Sequence, residues 1–170
     1  YNGAVDDTTS YIVRFQTLSL SLAPSDPGSP LPFVLTPMLL DTTLLSSSTP
    51  LVYGNGVAAG LPGGAPALNA TDHTHYFTGR SDNFDPTKLS TNPANARLDP
   101  EGIRVSNNGR RVYISDEYGP YVYEFNRKTG RRERSFSIPD NLAVAHLSAH
   151  LPGFVPQTFT GDHVDEDDDR

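Results

Sequence analysis

Two short acidic stretches, Asp99-Pro100-Glu101 and Asp116-Glu117, hold the residues best suited to chemistry. Carboxylates are hard oxygen donors, and several of them at one place suit Ca²⁺ or Mg²⁺ better than a softer metal. Carboxylates held close together cannot all ionise without cost, so they share protons or a cation. Whether the two stretches meet depends on the elements that carry them. If one enters a strand and the other leaves the next antiparallel strand, both fall at the same end of the sheet. Asp99, Glu101, Asp116 and Glu117 then line one rim as candidate metal ligands. Arg80 and Tyr118 are candidate substrate contacts. The alternative is that Asp99 and Asp116 only accept backbone N–H bonds in tight turns, a common use of Asp.

The pattern from Leu98 to Pro139 supplies such strands. Ile103 and Val105 alternate on one face of a first strand. Asn107-Asn108-Gly109 follows, and these residues tolerate positive φ. Val112 and Ile114 mark a second strand, and Gly119-Pro120 breaks the chain after it. Tyr121, Tyr123 and Phe125 form the apolar face of a third. Lys128-Thr129-Gly130 turns the chain again, and Phe136 and Ile138 mark a fourth strand after a basic run expected to face water. Four antiparallel strands in this order make a meander of the size of one β-propeller blade, roughly 40 to 45 residues.

The bulk composition agrees with an all-β chain. The 170 residues include 14 Gly and 15 Pro, and long apolar helical patterns are scarce. There is no cysteine, which excludes disulfides, thiol nucleophiles and thiolate metal sites. The net charge of −7 argues against a nucleic-acid partner, because only Arg127 to Arg134 offers a basic face to phosphates. No apolar run reaches the ~18 residues that a membrane span needs. The first residue is Tyr1 and no charged-then-apolar leader is visible, so the chain reads as one from which a leader was removed or as a piece of a longer protein.

Upstream, Tyr11 to Leu22 alternates, with Val13 and Phe15 on one parity and Leu18, Leu20 and Leu22 on the other, which predicts a bulge near Gln16. The run from Phe33 to Leu40 reads as strand, with helix as the rival because Thr36-Pro37 resembles a helix start. Residues 46–67 are rich in Ser, Gly and Pro and read as a long surface loop. In a strand from His73 to Phe77 the two histidines His73 and His75 would share a face, but a two-imidazole pair without a third ligand at a set spacing is more often not a metal site. Arg80, Asp82 and Asp85 sit in a polar turn that suits a phosphate, a cation or a simple salt-bridged loop. Asp140 could cap a short helix carrying Leu142, Leu147 and Leu151. The tail 154–170 is an acidic run expected to be solvated. No G-x-S-x-G elbow is present, so a serine triad has no support.

Asp99-Pro100-Glu101-Gly102-Ile103 followed by Tyr113-Ile114-Ser115-Asp116-Glu117-Tyr118-Gly119-Pro120 and Tyr123-Glu124-Phe125 resembles the phytase-like family described as "esterase-like activity of phytase". Arg14-Phe15-Gln16-Thr17-Leu18 and Thr78-Gly79-Arg80-Ser81-Asp82-Asn83-Phe84-Asp85-Pro86 look like its upstream segments. The resemblance implies a propeller-like β domain, an exported protein (extracellular or periplasmic) and hydrolysis of phosphate esters or esters. It implies bound divalent cations such as calcium, neutralising a phosphorylated small molecule and activating water, with Glu101, Asp116 and Glu117 as cation ligands or general base and Arg80 as a phosphate clamp. Residues 1–153 would form this segment. The family's further blades do not follow Pro139, so the expected architecture is all-β, with antiparallel four-stranded meanders in a partial propeller. Another chain or copy would complete the sheet. The rival function is a non-catalytic β module that self-assembles or binds partners through exposed strand edges.

Overall fold

A computed structural model describes residues 11–54, 64–70, 73–80, 83–85, 92–117 and 121–137. Tyr118, Asp82, the expected helix after Asp140 and the acidic tail lie outside the described residues. The described chain is all-β apart from one short 3₁₀ turn, Ala67–Ala70. It forms a two-stranded ribbon of β1 (Arg14–Pro24) and β2 (Phe33–Leu44), a short pair of β3 (Ser46–Ser47) and β4 (His75–Tyr76), and a four-stranded meander. The meander strands are β5 (Pro100–Val105), β6 (Arg111–Asp116), β7 (Tyr121–Asn126) and β8 (Arg132–Ser137), neighbours in chain order and all antiparallel.

The meander follows its alternation. Ile103 pairs with Ile114 and Ile114 with Tyr123, while Val105 pairs with Val112 and Val112 with Phe125. Paired residues share a face, so these six side chains line one side of the sheet. Val112, Ile114, Tyr123 and Phe125 are fully buried there against Val13, Leu45, Leu51, Phe77, Ala96 and Leu98. The ring of Phe77 lies 5.7 Å from both Tyr123 and Phe125, edge-on to the latter, a favoured aromatic geometry. Ile103 and Val105 occupy the same face on the edge strand but stay 56% and 44% exposed.

On β8 one side chain departs from the sequence reading and another takes a face that the reading left open. Phe136 pairs with Val122, which puts it on the opposite face from the core. Arg132, read as part of a water-facing basic run, lies instead across the aromatic cluster. Its guanidinium is 5.1 Å from the centroids of both Phe77 and Tyr123, and it donates to the Pro93 carbonyl at 2.6 Å. A planar, weakly hydrated cation can cap an aromatic core in this way while its donors remain satisfied.

The upstream segments are laced to the meander by backbone bonds. Val13 donates to Phe77, Phe77 to Leu45 and Leu45 to Val13, at 2.8–3.0 Å, a closed ring among three buried residues. The bulge predicted near Gln16 appears as a register shift between Thr17 and Leu18, with Leu40 the surplus residue on β2. Thr36-Pro37 lies within β2 and does not start a helix; proline is tolerated because both strands of a two-stranded ribbon are edges. The first part of the stretch read as a surface loop is not one. Ser46 and Ser47 are buried and paired with Tyr76 and His75, Leu51 is in the core, and Val52 bridges to Asn95.

Candidate functional site

The placement of Asp99 begins with Asn83, which is completely buried. Its carbonyl accepts from the backbone of Ala96 and Arg97, both at 3.1 Å, its Oδ1 accepts from Gly54 at 2.7 Å, and its Nδ2 donates to Thr78 Oγ1. Thr78 in turn donates to Ala96 and accepts from Leu98, both at 2.9 Å. The segment 94–98 is therefore pinned on both sides before it delivers Asp99 to the head of β5.

The two acidic stretches then meet, as the meander requires. Pro100 pairs with Asp116, Glu117 N donates to Asp99 O at 3.0 Å, and Asp99 N donates to Asp116 Oδ1 at 3.0 Å. The next pair is Gly102 with Ser115, so Glu101 is the extra residue of a bulge. A bulge re-aims a side chain. Here Asp99, Glu101 and Glu117 each offer a carboxylate oxygen, and these atoms lie within 4.8 Å of one another. Glu101 is exposed, whereas Asp99 and Glu117 are partly buried. Asp116 is not in that trio; its carboxylate holds the backbone of Asp99, the structural use of Asp weighed against a ligand role above. Gly102 suits the bulge because a Cβ there would come 3.1 Å from Ser115 Oγ.

Arg80 follows Thr78 by two residues but is only 4% exposed and has interactions of its own. Arg97 is buried as well, its guanidinium 4.8 Å from the Phe84 centroid. His73 has φ 54° and stands in a turn before β4, so His73 and His75 do not alternate on one strand. One neighbour of the acidic trio was not legible in the sequence. Burial pushes the Tyr11 phenol up, the charge of Asp99 adds to the rise, and Arg14 opposes it. The backbone bond from Gly79 N to Tyr11 O, 3.1 Å, brings this residue to the site from the far end of the sequence, and no local pattern announces it.

The chain matches the family "Phytase-like: Esterase-like activity of phytase" over residues 4–153. It belongs to that family. An uncharacterized secreted protein of Arthroderma benhamiae is 41% identical over 69 residues, a match that covers 37% of this chain and 13% of the relative. No solved structure matches the chain significantly. No helix among the described residues is long and apolar enough to cross a membrane.

Proposed function

We propose that this chain is part of an exported phytase-like hydrolase, acting on phosphate esters or esters, whose acidic corner holds calcium. The observation that carries the reading is the trio Asp99, Glu101 and Glu117. Their oxygens, within 4.8 Å of one another, fit the ~5 Å diameter of a Ca²⁺ shell with bonds of about 2.3–2.6 Å. The donor set is oxygen only, which suits that hard cation. When bound, the cation would neutralise an anionic ester and lower the pKa of a coordinated water. Asp99 and Glu117 would hold it from the half-buried side. Exposed Glu101 is the carboxylate best placed to take a proton from attacking water. Asp116 acts as a positioning residue, fixing Asp99 through its backbone N–H. The raised Tyr11 phenol keeps its proton at neutral pH and can donate beside Asp99. The secreted relative supports export. The meander would serve as one blade of a propeller completed by further chain or another copy.

The test is calorimetric titration of the chain with Ca²⁺, together with hydrolysis of a generic aryl phosphate and an aryl ester. Glu101→Gln and Glu117→Gln should each weaken Ca²⁺ by about tenfold or more, the scale of one lost charged ligand. A chelator should abolish turnover. Calcium affinity unchanged in both variants would remove the reading.

A second reading, reversible self-association, is favoured by one specific feature. Leu18, Leu20 and Leu22 share a face of the ribbon with Leu39, Pro37 and Leu35, and the five leucines are each half or more exposed. An apolar face of this kind calls for a cover.

A further inference from the structure

The pairing within the β1–β2 ribbon decides which backbone groups face outward. Ser25 N donates to Pro32 O at 3.1 Å, just past the last ribbon pair, Pro24 with Phe33. Along an antiparallel pair, residues that exchange bonds with the partner strand alternate with residues that turn both groups away from it. Counting back by twos from Ser25, Ala23, Ser21 and Ser19 bond to β2, and Leu22, Leu20 and Leu18 direct their N–H and C=O to the outer edge of β1. The register agrees, because Leu20 stands opposite Pro37, which has no N–H to give inward. Among the described residues nothing pairs with β1 on that outer side.

The other long strands at sheet edges are poorer templates. β2 turns Pro37 outward in mid-strand. β5 is headed by Pro100, bulged at Glu101, and carries Arg104 between Ile103 and Val105. On β8, Arg132, Glu133 and Arg134 follow one another across a register shift. Proline, bulges and charges are the means by which an edge strand is kept from pairing. Residues 18–22 have none of them, and from 15 to 40 the only charged residue is Asp26 in the end loop of the ribbon.

We propose that a second copy of this chain adds to that edge, β1 against β1 in antiparallel order about a two-fold axis at Leu20. This rests on the second reading above, self-association, and names its contact. The bulge after Thr17 and the missing donor of Pro24 bound the open stretch at Leu18 and Leu22, and its midpoint is Leu20. Centred there, Leu18 meets the second copy's Leu22, Leu20 meets its own counterpart and Leu22 meets the second copy's Leu18. Each pair exchanges two backbone bonds. A shift of two residues keeps fewer such pairs, and a shift of one sets outward groups against inward ones. The stretch reads Leu-Ser-Leu-Ser-Leu in both directions, so leucine stands beside leucine and serine beside serine across the axis. The product is one four-stranded sheet in the order β2-β1-β1-β2, an addition of strand to strand that symmetry closes at two copies.

Backbone hydrogen exchange of the 170-residue chain, read residue by residue at low and high concentration beside sedimentation, tests this. As the average mass climbs, the amides of Leu18, Leu20 and Leu22 should gain protection together, whereas those of Leu35 and Leu39 on β2 should not. Leu20→Pro keeps an apolar side chain and the β1–β2 ladder but removes the central donor of the edge, so it should weaken association by about tenfold or more. Leu35→Pro, which faces outward from β2, should leave association unchanged. A rising mass with those three leucine amides still exchanging as in the single chain would overturn this contact alone and leave stacking of the leucine faces. So would equal association by wild type and a Leu20→Pro chain that circular dichroism shows to be folded. A mass fixed at one chain up to millimolar concentration would overturn the contact and the second reading together.

Discussion

Tyr53 joins three parts of the chain through one oxygen. Its hydroxyl donates to Tyr76 O at 2.7 Å and accepts from Asn69 Nδ2 at 2.5 Å, while Asn69 Oδ1 accepts from Tyr76 N at 3.0 Å. Burial pushes the phenol up to about 12, with the bond from Asn69 acting in the opposite direction. A group whose folded pKa is raised holds its proton more tightly in the native state, so unfolding releases protons above pH ~10 and stability falls as pH rises. The contribution is whole below about 10 and is lost on the way to about 12. Tyr53→Phe should therefore cost about 1 kcal/mol near neutrality, the worth of the hydrogen bond, and shrink the stability difference between neutral and alkaline solution. Urea melts near pH 7 and near pH 11 measure both. An undiminished alkaline loss in the variant would place the titration elsewhere.

Two turn glycines separate what an element needs locally from what its surroundings impose. Gly109 and Gly130 have nearly the same φ, 70° and 69°, and each ends a turn in the meander. Beside Gly109 a Cβ would meet only Arg127 Nη1 at 3.6 Å, the end of a flexible side chain. At Gly130 it would lie 1.9 Å from Leu44 O, and Ser46 N donates to Gly130 O at 2.9 Å across the same junction. Gly109→Ala should cost about 1 kcal/mol for its φ, and Gly130→Ala more than ~3 kcal/mol because the ribbon must move. Thermal melts of the two variants decide it, and equal costs would mean that the junction yields freely. Both glycines read as turn residues in the sequence, but the difference between them did not, because it depends on Leu44 in another element. The same boundary runs through the whole reading. Alternation and turn chemistry are local, so the four strands, the bulge in the ribbon and the meeting of Asp99, Glu101 and Glu117 were legible. Arg132 across Phe77, Phe136 on the outer face, the buried Ser46-Ser47 pair and Tyr11 beside Asp99 depend on what packs where, and residue pattern alone does not carry that.

For the whole molecule the question is what the apolar surface does in water. The core face of the meander is left open at Ile103 and Val105, and the outer ribbon turns its leucines away from the side on which Val13 and Phe15 meet the core. Covering the six half-exposed ribbon side chains on each of two copies gains on the order of 12 kcal/mol, at ~1 kcal/mol each. Association costs about 4–15 kcal/mol in lost freedom, to which side-chain ordering adds, so the two nearly offset and pairing through the ribbon alone is weak and reversible. Two copies related by a two-fold axis would apply the same leucines to each other. Sedimentation over a rising concentration series should then show the average mass climbing above the 18.5 kDa of one chain. Leu20→Ser with Leu22→Ser should hold it there, whereas Ile103→Ser on the meander edge should not. A mass that stays at one chain across the series would mean that the ribbon face is left for other parts of a larger protein. Growth unaffected by the leucine changes would move the contact to the open edge of β5.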